Sequence, residues 1–244
     1  MDNHHAQPLL QTLPLQVAEH MAARIIEGDH PPGSRLREIE LAESFEVSRA
    51  TIREALRLLE QRGLVRIQPQ RGAHVTQLSA KELDDLFEVR ASLLATGSRL
   101  VAERCTAAQA ATLRSHLERL RQCVDDLNAY ARASAELVHA IVHMSGNEVL
   151  ARYCDDFALR IGRYARMGLM TAARRRRSVS VWARLVSAIT HHDSAAAGAL
   201  HAQLSLENRT AALDEFRKQQ AGAAQPAGSN LRGLRRPLST EYAT

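Results

Sequence analysis

The spacing of apolar residues changes twice along the chain. From Leu15 to Gly28, Val17, Met21 and Ile25 recur at helical intervals on one face, and Gly28 with Pro31-Pro32 ends the run. Between Leu36 and Val75 the units shorten, and the pattern predicts two short helices, a tight turn and a small two-stranded wing. In the second of these helices Ile52, Ala55, Leu56 and Leu59 must face a core, which leaves Arg49, Arg53 and Arg57, each four apart, as a stripe on the other side. Ser48 stands at the N-cap, so the free backbone N–H groups point the same way as the arginines.

From Leu78 to Glu82 the pattern predicts a short hinge, in which Ser79 and Glu82 have the spacing of a capping box. Long amphipathic helices follow at about 80–104, 107–127, 129–145, 147–168, 178–193 and 195–219. Thr106, Asn128, Gly146-Asn147 and an Arg174 to Ser178 loop mark the breaks. Helices of this length joined by short turns imply an antiparallel bundle. The fold class is therefore mainly α, a three-helix unit with a small β wing followed by an all-α bundle. The divisions are a disordered lead at 1–12, the winged unit at 13–77, the hinge at 78–82, the bundle at 83–219 and a disordered tail at 220–244.

Composition narrows the class. An apolar share of 45% suffices for ordinary cores, and aromatics at 4% favour Ala/Leu-rich helix packing over a β-sandwich. The net charge of +5 permits nucleic-acid binding without requiring it. Residues 13 to 77 hold nine Arg against nine Asp and Glu, so basic character there is concentrated on one helix and the wing. A balanced unit with a local stripe suits specific recognition better than a general polyanion coat. Cys105, Cys123 and Cys154 lie apart, with neither a disulfide framework nor a zinc-knuckle spacing. No apolar run approaches bilayer length and no signal-peptide pattern opens the chain, so a cytoplasmic location without membrane contact is expected.

These residues resemble the winged helix-turn-helix of the GntR family of bacterial transcription regulators, in the FadR-like branch with an all-helical C-terminal FCD domain. Pro31-Pro32-Gly33 with Leu36 and Glu38, Val47-Ser48-Arg49, Ile52 to Leu56, Gly63-Leu64-Val65 and Arg71 to Val75 carry the likeness. Thr51 departs from it, standing where many members have proline. The resemblance implies a homodimer on a double-stranded, palindromic operator. Arg49 and Arg53 would then meet bases or nearby phosphates, helped by Ser48 and Thr51, while Arg35 meets the backbone and Arg71-Gly72 reaches the minor groove.

The bundle resembles FCD through Phe87 to Arg90, Val138-His139, Met144 to Asn147, and Ala188-Ile189 with Asp193 and Ala197. Many FCD domains hold a divalent metal with one Asp and three His. Here His139 fits the first His, but Ala135, Trp182 and Leu204 occupy the other three places, so the resemblance implies loss of that metal and no cofactor. His143, His191, His192 and His201 keep a rebuilt site open.

Without the metal, a carboxylate effector needs an arginine, or the effector must be more apolar. Arg90 matches the family's cavity-facing arginine, with Arg160 and Arg163 as weaker sources; the competing reading of Arg90 is a salt bridge with Asp85 or Glu88. His139 and Trp182 are the other candidate effector contacts, against readings as a bonded core imidazole and core filler.

Arg174 to Arg177 reads as a solvated loop, and the pairs Asp125-Asp126 and Asp155-Asp156 diverge by about 100° on a helix and cannot converge on one substrate. No phosphate loop, nucleophile elbow or His-Glu-x-x-His motif occurs, so no enzyme is expected. The expected function is a ligand-modulated repressor. The alternatives are an effector-independent DNA binder with a closed pocket and a metal-dependent enzyme built on the bundle.

Overall fold

A computed structural model describes residues 12–224. Helix α1 (Leu13–Glu27) starts with a proline in its first turn and ends at Gly28, and it buries Val17, Met21 and Ile25 as the spacing predicts. Helices α2 (Glu38–Ser44) and α3 (Arg49–Gln61) form the helix-turn-helix, and all four predicted α3 core residues are buried. Strands β2 (Val65–Gln68) and β3 (Gly72–Val75) make the wing. The sheet has a third strand, β1 (Arg35–Leu36), antiparallel to β3 in the order β1-β3-β2. Two residues are too few for alternation to register in a sequence. Gly33 and Val75 lengthen the pairing through Gly33 N–H to the Val75 carbonyl (2.9 Å) and Val75 N–H to the Ser34 carbonyl (3.0 Å).

Six helices build the bundle: α4 (Ala80–Arg104), α5 (Ala107–Gln122), α6 (Leu127–Met144), α7 (Glu148–Met167), α8 (Ala172–Thr190) and α9 (Ser194–Ala224). The predicted capping box opens α4, where Ser79 Oγ accepts from Glu82 N–H and Glu82 accepts from Ser79 N–H. Asp126, not Asn128, ends the α5–α6 turn as the N-cap of α6. Helix α9 runs to Ala224, past the expected end at 219; the leading residues 1–11 and the rest of the tail lie outside the described residues.

The largest departure concerns Arg174 to Arg177. These residues are the first turns of α8, capped by Thr171, not a solvated loop. Arg175 is buried, and its guanidinium donates to the carbonyls of Val124 (2.6 Å), Leu169 (2.9 Å), Met170 (2.9 Å) and Asp125 (3.0 Å). One side chain thus satisfies carbonyls from two inter-helix turns, where unpaired acceptors would be costly.

One core cluster lies in the head and three in the bundle; α7 supplies residues to two of the bundle clusters and also meets the head core. Ile26 of α1 rests on Gly162, where an added Cβ would stand 3.2 Å from it, so the absent side chain is what lets the helices approach. Arg163 donates to the His30 carbonyl (3.3 Å), Arg132 pairs with Glu27 (3.6 Å), and Leu159 packs against the head core. The stretch read as a hinge is tied at its start, because Leu78 is buried and its N–H donates to the Tyr164 hydroxyl at 3.2 Å.

Candidate nucleic-acid interface and ligand cavity

Ser48 caps α3 as predicted, accepting from Thr51 N–H at 3.1 Å, with the two hydroxyls 2.8 Å apart. Arg49 and Arg53 leave the helix on the same exposed face. Both turn toward one carboxylate: Arg53 Nε donates to Glu38 Oε2 (2.8 Å), and Arg49 Nη2 lies 3.7 Å from the same oxygen. Glu38 was not among the predicted contact residues. It precedes Arg53 by fifteen positions, and no local pattern links residues on two helices. An exposed ion pair contributes about 0–1 kcal/mol, so Glu38 orients the arginines without withholding them from phosphate.

The wing collects the second set of predicted residues. Arg35 and Arg71 are exposed, and Gly72 adopts φ +85°, the left-handed conformation glycine adopts without strain. A Cβ on Gly72 would lie 3.5 Å from Arg35 Nε, which places the guanidinium of β1 over the start of β3. The seven expected DNA contacts therefore fall into two groups, Ser48, Arg49, Thr51 and Arg53 at the helix start and Arg35, Arg71 and Gly72 at the wing.

Between head and bundle lies a cavity of about 930 Å³. Ala22, Ala23 and Ile26 of α1 line one side, and Ala135, Val138 and His139 of α6 line another. Arg90 of α4 also lines it. The salt bridge considered for Arg90 does not form: Asp85 pairs with Lys81 at 2.6 Å, and no carboxylate among the described residues pairs with Arg90. Its guanidinium has a long hydrogen bond to Ser205 (3.5 Å) and the Phe87 ring at 6.0 Å. The side chain keeps some accessible surface although it lies deep in the protein, because part of its surroundings is the cavity. Burial lowers its pKa to about 10, which leaves it a cation at neutral pH. The nearby Cys154 thiol cannot neutralise it, since burial pushes that thiol up to about 11.

Arg160 and Arg163 serve the head instead of the cavity, Arg160 lying over Gly63 and Arg163 bonding His30. His139 lines the cavity at an exposed rim and bonds Asp155 (3.2 Å), so it is not a core imidazole. Trp182 is buried, its ring 5.4 Å from His201, and borders a separate void of only about 30 Å³ with Leu204 and Arg90. The four positions assigned to the FCD metal do not meet there: Trp182 and Leu204 border this void, but Ala135 and His139 line the larger cavity, and Ser134 and Val138, each one residue earlier on α6, take their places. The donors of the void do not fit a metal: Trp182 and Leu204 bring no ligand atom, which leaves His201 Nε2, with Nδ1 held by Ser98 at 2.6 Å, as a lone imidazole donor. Burial, assisted by the Arg90 charge, lowers His201 to about 3 and keeps it neutral.

A winged helix with a cationic edge, seated on a helical bundle around a ligand-sized cavity, is the architecture of DNA-binding regulators with an effector domain. Residues 13–75 match the gntR family of bacterial regulatory proteins and residues 85–207 match the FCD domain, so the chain belongs to the GntR family with an FCD domain. It is 34% identical to the HTH-type transcriptional regulator YdhC of Bacillus subtilis (strain 168), over 45% of this chain and 49% of that protein. It is 31% identical to the HTH-type transcriptional repressor RspR of Escherichia coli (strain K12), over 47% of this chain and 53% of that one. The chain thus spans about half the length of these relatives. The solved structure of E. coli McbR/YncC has the same fold, with a TM-score of 0.76 at 23% identity over 85% of this chain and all of that one. Among the described residues no helix is long and apolar enough to cross a membrane.

Proposed function

We propose that the protein is a repressor that binds a palindromic operator as a homodimer and answers to a small carboxylate held in the bundle. The observation that carries the DNA-reading half is the Arg49 and Arg53 pair, exposed at a capped helix start and oriented by one carboxylate. Arg35, Arg71 and Gly72 follow the adjacent backbone and minor groove from the wing. The repressor sense is taken from RspR, which carries that name.

Dimerisation is supported by apolar side chains left exposed on α4 and α7, two helices that pack together: Val89 (48% exposed), Val149 (54%) and Tyr153 (58%). A second copy seated there would cover them, and its two-fold symmetry would demand a two-fold operator. The effector reading rests on Arg90, a deep cation with no carboxylate partner among the described residues, in a cavity of the volume that small molecules occupy. The Ala and Val lining suits an apolar body behind the anionic group. Because α1 supplies part of the wall, a ligand that prefers one seating of the head shifts operator affinity by that preference. The closed-pocket alternative draws support from the small void at Trp182 and Leu204, but the larger cavity favours an effector.

Selection from random duplex DNA, followed by anisotropy titrations with wild-type, Arg49→Ala and Arg53→Ala proteins, tests the reading. The expected result is a two-fold motif bound by wild type and lost in the variants. Failure of the wild-type protein to bind any duplex at low salt overturns it, and selected sites without symmetry overturn the dimer. A thermal-shift screen of carboxylates against wild-type and Arg90→Ala proteins tests the effector, since a ligand specific to the folded state raises stability.

A further inference from the structure

We propose that His139, His143 and Asp155 form a site for a divalent first-row transition-metal ion at the rim of the large cavity, separate from the FCD metal position that this chain has lost. His139 and His143 stand four apart on α6, which places both imidazoles on one helix face with ring centroids 3.9 Å apart. Asp155 comes from the neighbouring helix α7. It meets both rings, one with each carboxylate oxygen: Oδ1 lies 3.2 Å from His139 Nδ1 and Oδ2 lies 3.1 Å from His143 Nε2. All three ligand atoms fall within 4.8 Å of one another.

The two imidazole–carboxylate separations are close to the roughly 3.3 Å expected between ligand atoms that each lie about 2.0–2.1 Å from a tetrahedral ion. An ion can therefore take the place of the two hydrogen bonds, each imidazole keeping its one proton on its other ring nitrogen. Two neutral imidazoles and one carboxylate carry a net charge of −1, and this donor set suits Zn²⁺, Co²⁺ or Ni²⁺ over the harder Mg²⁺ and Ca²⁺. Three protein ligands leave a coordination position for water or an anionic oxygen. His139 and Asp155 also line the cavity, so that position is within reach of a molecule bound there. The ion would also pin α6 to α7, the helix on which the DNA-reading head sits. The site stands on its own ligands and does not require the effector reading to hold.

The test is titration of the full-length protein with Co²⁺ at neutral pH, read by its visible d–d bands, for wild type, His143→Ala and Asp155→Asn. All three side chains of the cluster are at least partly exposed, so neither variant is expected to compromise the fold. Wild type should bind one ion at this site without a thiolate charge-transfer band, and each substitution should weaken that binding by at least about tenfold. Zn²⁺ should raise the Tm of wild type and leave that of His143→Ala unchanged. Absence of Co²⁺ bands in wild type overturns the proposal. So does a spectrum and affinity that survive either substitution, which would place the ion elsewhere, for instance on His4-His5.

Discussion

Two arginine clusters in this chain have opposite fates, and their spacing is the reason. Arg49, Arg53 and Arg57 recur every fourth residue of α3 and share one face, so they stand together in solvent with only Glu38 and Glu54 to hold them. Arg174 to Arg177 are consecutive, so they fan around α8 at about 100° per residue and reach three different environments. Arg175 points inward onto four carbonyls, Arg174 and Arg177 pair with Glu207, and Arg176 pairs with Asp125. A stripe leaves its charge available to a partner, whereas a run distributes its charge into the protein's own framework.

Removing Arg175 should break that contrast most severely. Arg175→Ala leaves four carbonyls without their donor, and thermal or urea unfolding should show a loss of about 3–5 kcal/mol. Operator affinity measured where the variant is still folded should be unchanged; a small stability loss would show that water replaces the guanidinium.

The mirror experiment is Arg49→Ala or Arg53→Ala. Each should cost about 1–3 kcal/mol of operator affinity and reduce the dependence of log K on log salt by about one, while Tm stays within a degree or two. Equal affinity in the variants would move the reading edge elsewhere.

Protonation sharpens the comparison from the α8 side. The hydrogen bond from Arg177, joined by Gln203 and the Arg174 charge, holds the Glu207 carboxyl at about 2, against 4.5 for the ordinary group. Because the folded-state value is the lower one, this contribution is complete above about pH 4.5 and is lost as pH falls toward 2. Allowing for solvent screening it amounts to about 1–2 kcal/mol. Acid unfolding of Glu207→Gln should lack this component between pH 4.5 and 2, and an unchanged profile would assign the acid sensitivity to other groups. Smallest of all should be Ser48→Ala, about 1 kcal/mol in stability from the lost α3 cap, with a matching modest loss of DNA affinity.

Much of the head was legible because its signals are local. Ile52, Ala55, Leu56 and Leu59 repeat at helical spacing and Ser48 precedes them, just as Ser79 and Glu82 at the capping-box interval mark the start of the bundle. Each of these rules relates residues within two turns of one another. Strand β1 was not legible, because two residues carry no periodicity and its partner β3 lies almost forty positions away. Glu38 was missed for the same reason, since its role depends on the turn that brings α2 against α3.

The candidate cavity was legible only in part. Arg90 and His139 both line it, but Trp182 belongs to a small void around His201, and the wall supplied by α1 follows from the seating of the head on Gly162. Helix spacing sets Asp155 apart from Asp156, yet both line the cavity, and the meeting of Asp155 with His139 and His143 requires α6 and α7 to lie side by side.

The amino-acid order alone determined that the helices form, the caps of α3 and α4, which faces are apolar and that the arginines of α3 share a side, because backbone geometry and near-neighbour spacing settle those questions. Only the tertiary structure decided which charges stay free. Whether an arginine is held by a carboxylate, spent on buried carbonyls or left facing a cavity depends on groups that the chain brings together from tens of residues apart.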